Sequence, residues 1–271
     1  MADARDVKTI EILGSTMNMV DVPFILEWIA QNISEYREKT LLGESVPTKQ
    51  MVVTGFHGLN QANNDPNYFK IGAECDLWVP DSISSVLIAK RRGMKGSVRT
   101  PGAEIMKAFL EKADSEGLSS YFYGDTDHTL NALRENLTAK YPGHVIAGAF
   151  SPPYRKLTDE EEQEHCEMIN AAKPDVLWVG LGLPKQDEWI YRNKHRLKVP
   201  VCAGVGAAFG FMAGTMKRAP EGWQKCGLEW LYMLLTKPKR TGRRVFVDGS
   251  EFISAIIREE FRLSKKSGKK K

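Results

Sequence analysis

Cysteine is scarce in this sequence. Four occur among 271 residues, Cys75, Cys166, Cys202 and Cys226, and none forms a CxxC pair. That spacing argues against a disulfide framework or a zinc site and for buried, reduced thiols. Long apolar runs are also missing: none approaches the roughly 20 residues that a bilayer-spanning helix needs. The opening MADARDVKTI has no apolar signal region, so a cytoplasmic location is expected. Internal repeats are absent. Acidic residues thin out at one end. Residues 237–271 carry twelve Lys/Arg and four Asp/Glu, whereas the rest of the chain carries 26 and 30. The net charge of +4 is therefore a C-terminal property. A basic segment of this kind seeks phosphates, on nucleic acid or on an anionic membrane surface. The remaining composition, 42% hydrophobic and 27% charged, is that of an ordinary globular chain long enough to bury a core.

Short apolar runs predict strands over 9–13, 51–54, 76–79, 120–123, 144–147, 176–180 and 200–204. Helical patterns lie between them. Residues 24–36 follow a 3.6 period, and 157–172 opens with Thr158-Asp-Glu-Glu161, a capping box. Strands alternating with helices imply an α/β fold: a Rossmann-like, mostly parallel sheet with helices on both faces. The alternation stops near Thr215. Two amphipathic helical patterns follow, 221–236 and 250–263, joined by the basic link KPKRTGRR. The expected organisation is a core over 1–215, a helical, basic C-terminal appendage over 216–263, and a disordered basic tail over 264–271.

Chemistry-bearing residues gather where strands end, the usual location of α/β ligand sites. In VGLGLPKQDEWI (179–190), an apolar run feeds a Gly-x-Gly-x-Pro turn and a helix start crowded by Lys185, Gln186, Asp187 and Glu188. Free N–H groups and the positive dipole end suit a phosphate, with Gly182 and Lys185 beside it. Asp187 and Glu188 read as helix-start residues rather than catalysts. Asp81 follows the apolar LWVP and is either a reactive carboxylate or an N-cap. Arg99 precedes a Pro-Gly turn; it either binds phosphate in a bidentate manner or is a solvated surface residue. Gly124 opens a generic nucleotide-edge turn. There Asp125-Thr-Asp127 fits D-x-D and could bridge a diphosphate through a metal, and His128 reads as exposed. Gly204, Gly206 and Gly210 follow a strand with G-x-G-x-x-x-G spacing. No strand with a terminal acidic residue comes about 20 residues later, so NAD binding is a weak reading, and close backbone packing explains the glycines equally well.

Taken in order, the segments VVTGFHG, LWVPDS, VRTPGAEIM, GAFSPPYR, PDVLWVGLGLPKQDEW, GVGAAFGFMAGTMKRAP and GLEWLYMLLTKPKR resemble the WecG/TagA/CpsF glycosyltransferases, glycosyltransferase family 26. The resemblance runs from about residue 9 to 262. It implies an inverting, metal-independent enzyme without a cofactor. Such an enzyme moves a hexose from a UDP-sugar to a polyprenyl-diphosphate-linked saccharide, with a β-1,4 linkage, in cell-envelope polysaccharide synthesis. By resemblance, Asp81 stands at the general-base position, Thr54 and Arg99 at active-site positions, and Gln186 at the Gln of PKQE. Arg240, Arg243 and Arg244 fall in the segment expected to close over the donor diphosphate. The sequence departs from the family pattern at Phe56, where Asn is common, at Ser82 (Gly), at Gly210 (Asp) and at Met233 (Arg). Both N-acetylmannosamine-type and glucose-type donors therefore stay open.

The diphosphate partners expected are Gly124, Gly182, Lys185 and the arginines, with no metal ligand. The appendage is expected to lie on an anionic membrane, placing the enzyme peripherally at the inner face. Self-association stays open. Two other functions compete: an NAD-dependent oxidoreductase, suggested by the glycine turns, and a nucleic-acid-binding protein using the basic C-terminus. The tail lacks the interleaved aromatics of a base-stacking surface, so no nucleic-acid partner is expected.

Overall fold

Strand segments such as QMVVT, LWVP and VLWVG are apolar at successive positions, the pattern of strands covered on both faces. A computed structural model of the chain describes residues 7–236 and 238–268. Its strands are β1 (Thr9–Ile12), β2 (Ser15–Asn18), β3 (Lys49–Thr54), β4 (Leu77–Pro80), β5 (Ser119–Gly124), β6 (Val145–Phe150), β7 (Val176–Gly180) and β8 (Val201–Gly204). Its helices are α1 (Val22–Leu41), α2 (Phe56–Asn64), α3 (Pro66–Glu74), α4 (Ile83–Arg91), α5 (Gly102–Glu116), α6 (Asp127–Lys140), α7 (Asp159–Ala172), α8 (Lys185–Asn193) and α9 (Ala208–Met212). The C-terminal helices are α10 (Glu221–Lys225), α11 (Glu229–Thr236), α12 (Pro238–Arg243) and α13 (Gly249–Gly268), with a π-helical turn, Arg244–Asp248, before the last.

Strands β3 to β8 form one parallel sheet in the order β4-β3-β8-β7-β5-β6. Side chains alternate across it. Met51, Val53, Phe122, Trp178 and Ala203 face a core built with α1, α5 and α6. On the opposite face, Val52 and Trp78 pack with the β1–β2 hairpin, α2 and α3, while Tyr123, Val179 and Cys202 pack with α7 and α8. Helix starts follow local chemistry: Asp21 accepts from the Phe24 N–H at 2.9 Å, and the Thr158–Glu161 capping box forms.

The structure departs from the sequence reading in four places. β1 does not join the main sheet. It pairs antiparallel with β2 through a turn in which Leu13 (φ 52°) and Gly14 (φ 78°) are both left-handed. The pattern over 221–236 is two helices, because Gly227 (φ 72°) breaks it where the backbone crosses Ile83 of α4. The KPKRTGRR link is helical from Pro238 onward. Of the expected disordered tail, residues 264–268 continue α13 as helix, and 269–271 lie outside the described residues.

The apolar residues of α13 serve two surfaces. Phe252 (4% exposed) packs on the α2 side of the core and Ala255 is buried, whereas Ile253, Ile257 and Phe261 are 60%, 64% and 61% exposed. No helix among the described residues is long and apolar enough to cross a membrane.

Candidate active site

The carboxyl ends of the parallel strands form one edge, and most of the expected site residues lie along it. Thr54 ends β3 and is 3% exposed; its hydroxyl accepts from the Gly58 N–H at 3.2 Å, at the start of α2. Asp81 follows β4 directly, and its N–H donates to the Thr54 carbonyl at 3.2 Å. The two residues are thus neighbours on adjacent strands. Asp81 is not the N-cap of α4; Ser82 occupies that position. The Asp81 carboxylate instead accepts from the Gly102 N–H, the first residue of α5, at 3.1 Å. The Ser82 hydroxyl accepts from the Phe56 N–H at 3.2 Å, so two of the positions that depart from the family pattern touch each other.

Across the sheet, α8 carries Gln186 (3% exposed) and Asp187 (fully buried) against the end of β8. Gly204 is what lets them approach. A Cβ there would sit 2.6 Å from Asp187 Oδ1 and 2.7 Å from Gln186 Nε2. The glycine-rich turn is therefore a packing feature. Asp187 lies in the first turn of α8, as its reading as a helix-start residue has it, and is buried as well. Its Oδ2 accepts from the Tyr68 hydroxyl at 2.6 Å, and its main-chain carbonyl accepts from the Gln50 amide at 3.0 Å. Burial is the dominant cause that pushes its pKa up to about 7; the Tyr68 hydrogen bond and the nearby Gln186 amide oppose the rise, and Glu188 adds to it.

Further along the edge, Gly124 (φ 120°) faces Gly180 so closely that a Cβ would lie 2.7 Å from its carbonyl carbon. Gly182 (φ 78°) opens the turn that leads into α8. Lys185 begins α8 with its ammonium 4.7 Å from the ring centre of Tyr154, which is 97% exposed. Asp125 accepts from the Thr126 N–H at 2.8 Å, Asp127 begins α6, and His128 is exposed.

Arg99 is not a solvated surface residue. It donates to the Gln224 carbonyl and pairs with Glu229 of α11 at 3.4 Å. Glu229 also pairs with Arg218 at 3.2 Å, and Arg218 reaches Glu104 of α5. This chain of four charges joins the core to the appendage. Arg243 is exposed on α12, and the side chains of Arg240 and Arg244 lie outside the described residues. Of the cysteines, Cys166 and Cys202 are buried as expected, Cys75 is half-buried, and Cys226 is exposed.

Residues 10–266 match the glycosyl transferase WecG/TagA/CpsF family. The chain belongs to this family. As a WecG/TagA/CpsF glycosyltransferase it shares 31% identity over 200 residues with a Bacillus spizizenii protein, covering 74% of this chain and 75% of that one. A Staphylococcus aureus protein is 31% identical over 185 residues, covering 68% of this chain and 71% of its own length. Both are named N-acetylglucosaminyldiphosphoundecaprenol N-acetyl-beta-D-mannosaminyltransferase.

The sequence reading singled out neither Tyr68 nor Glu229 and took Asp187 as a helix-start residue; the structure joins Tyr68 to Asp187 and Glu229 to Arg99. The signal available for Asp187 was its place beside Gln186 in the α8 start; no local feature marked Tyr68 or Glu229.

Proposed function

We propose that the protein transfers a hexose from a UDP-sugar to a saccharide carried on a polyprenyl diphosphate, with inversion and a β-1,4 linkage. The observation that carries this reading is the placement of Asp81 at the end of β4, beside Thr54 and at the start of α5. The names of the relatives support the lipid-linked acceptor. In the proposed reaction, Asp81 takes the proton of the acceptor hydroxyl while that oxygen attacks the anomeric carbon. The bond from that carbon to the diphosphate oxygen breaks, and UDP leaves with the electron pair.

The charge developing on UDP needs cationic partners. Arg99, Lys185, Arg243 and the N–H groups around Gly124 and Gly182 supply them in this reading, joined by Arg240 and Arg244. Thr54 and Gln186 offer polar contacts to the sugars. Transfer on this plan is metal-independent. EDTA tests it: complete loss of turnover, restored by Mg²⁺ or Mn²⁺, defeats it and returns Asp125 and Asp127 as candidates.

The appendage presents Ile253, Ile257 and Phe261 beside a basic segment, a combination suited to the anionic surface where a lipid-linked acceptor resides. On this reading the enzyme works at the membrane surface. Replacing all three with Ser leaves the core contacts of Phe252 intact. Flotation with phosphatidylglycerol vesicles is expected to lose the variant and retain the parent; equal flotation rejects the membrane role.

The decisive experiment for the reaction offers a panel of UDP-sugars, including N-acetylmannosamine and glucose donors, with a synthetic lipid-diphosphate N-acetylglucosamine. UDP release and a product one sugar heavier are expected with one donor. No release with any donor rejects the reading.

A further inference from the structure

Gln186 and Asp187 are consecutive residues of α8, yet both side chains press on the same small spot, the missing Cβ of Gly204. That spot lies at the end of β8, whose partner β3 leads to Thr54. The Gln186 amide nitrogen faces Gly204, and its carbonyl oxygen is the atom nearest Gly206, 3.4 Å from where a Cβ would stand. This oxygen is buried and accepts no hydrogen bond. A buried, unpaired amide oxygen at a ligand edge is an acceptor waiting for a donor, since leaving it unsatisfied is costly.

An amide side chain has two orientations, and something must choose between them. Asp187 is placed to choose. Its Oδ2 is held by the Tyr68 hydroxyl at 2.6 Å, and the main chain behind it is held by Gln50. Its Oδ1 points to Gly204, as the Gln186 nitrogen does. The amide pulls on the carboxylate, although Oδ1 itself has no aligned hydrogen bond. An anionic Oδ1 attracts the NH₂ end of the amide and repels its oxygen.

We infer that Asp187 is a positioning residue that fixes the Gln186 amide with its oxygen toward Gly206, so that the transferase site holds an acceptor for a hydroxyl or N–H donor on the sugar substrate. This rests on the proposed function only for the identity of the ligand; the orientation itself belongs to the fold. Once Asp187 is protonated its Oδ1 no longer selects the NH₂ end, and the amide is free to turn. The groups facing Asp187 are Tyr68 and Cys75 from the α3 side and Glu188 on its own helix. Burial first, and Asp187 second, pushes the Cys75 thiol up to about 12, so it stays neutral while Asp187 titrates. Tyr68, strongly raised by burial, also stays neutral.

The test uses full-length protein labelled with ¹⁵N at glutamine side chains, the Gln186 signal being assigned by its loss in Gln186→Glu. Its NH₂ shift is expected to titrate with a midpoint near pH 7. Tyr68→Phe removes a hydrogen bond that favours the anion, so the midpoint moves upward. Asp187→Asn abolishes the titration, and the acid limb of kcat moves upward with the Gln186 midpoint from parent to Tyr68→Phe. A Gln186 signal that stays flat from pH 5.5 to 8.5, or a midpoint unmoved by Tyr68→Phe, overturns the inference. A titrating signal in a protein that turns over no UDP-sugar supports the positioning role and counts against the proposed reaction alone.

Discussion

The Asp81 carboxylate accepts a hydrogen bond from the backbone N–H of Gly102 at 3.1 Å, tying the proposed base to the first residue of α5. The positive end of that helix favours an anion there, and the bond fixes the direction of the remaining oxygen. Asp81→Asn keeps an oxygen for Gly102 and loses only the ability to take a proton. Turnover is expected to fall by about 10²–10⁴-fold, while circular dichroism and the melting temperature change little. Near-parental turnover in the Asn variant means that the base is elsewhere.

Glu229 sits between Arg99 and Arg218, and through Arg218 it connects to Glu104. Arg99, Glu229 and Arg218 are about one-fifth exposed, so their pairs are only partly screened and each is worth on the order of 1 kcal/mol. Glu229→Gln is expected to lower global stability by roughly 1 kcal/mol. Its larger effect is local: hydrogen exchange over 221–236 should accelerate, because α11 loses its charged tie to the core. Unchanged exchange there means that apolar contacts alone hold the appendage.

Much of this arrangement was legible because it depends on neighbours in sequence. The run VLWVG announced β7, Thr158 and Glu161 announced their capping box, and Asp81 stood out as the acidic residue after LWVP. The rest depends on tertiary approach. β2 is four residues long, with Ser15 and Asn18 at its ends, so its alternation carried little signal. Gly227 is one residue inside a good amphipathic pattern, and its positive φ became visible only where it crosses Ile83. Tyr68 and Asp187 are 119 residues apart, and no local feature of either marks a buried pair. The site edge could be read from strand ends; the network behind it could not.

Gly204 carries the space that Gln186 and Asp187 share. In Gly204→Ala the new methyl would lie 2.6–2.8 Å from Asp187 Oδ1 and from Gln186 Nε2 and Cγ. Relief requires α8 to shift, at a cost of about 1–3 kcal/mol. Turnover should drop further than the loss of folded protein explains. Gly96 is the control, because a Cβ there meets nothing within 4 Å. Urea denaturation of both variants checks the difference; equal stability of Gly204→Ala and Gly96→Ala removes the packing argument.

Asp187 also gives stability a pH dependence of definite sign. Its folded pKa is raised from 3.8 to about 7, with burial as the first cause. Between those values the folded protein binds more protons at this site than the unfolded chain. Its contribution therefore favours folding at low pH and weakens as pH rises from about 4 to about 7, then levels off. Asp187→Asn cannot titrate, so it lacks this slope. The melting temperature of Asp187→Asn minus that of the parent is expected to become more positive from pH 5 to pH 8. Because both proteins share every other titrating group, the subtraction isolates this carboxylate. A difference that is flat across the interval means that Asp187 keeps an ordinary carboxylate pKa despite its complete burial.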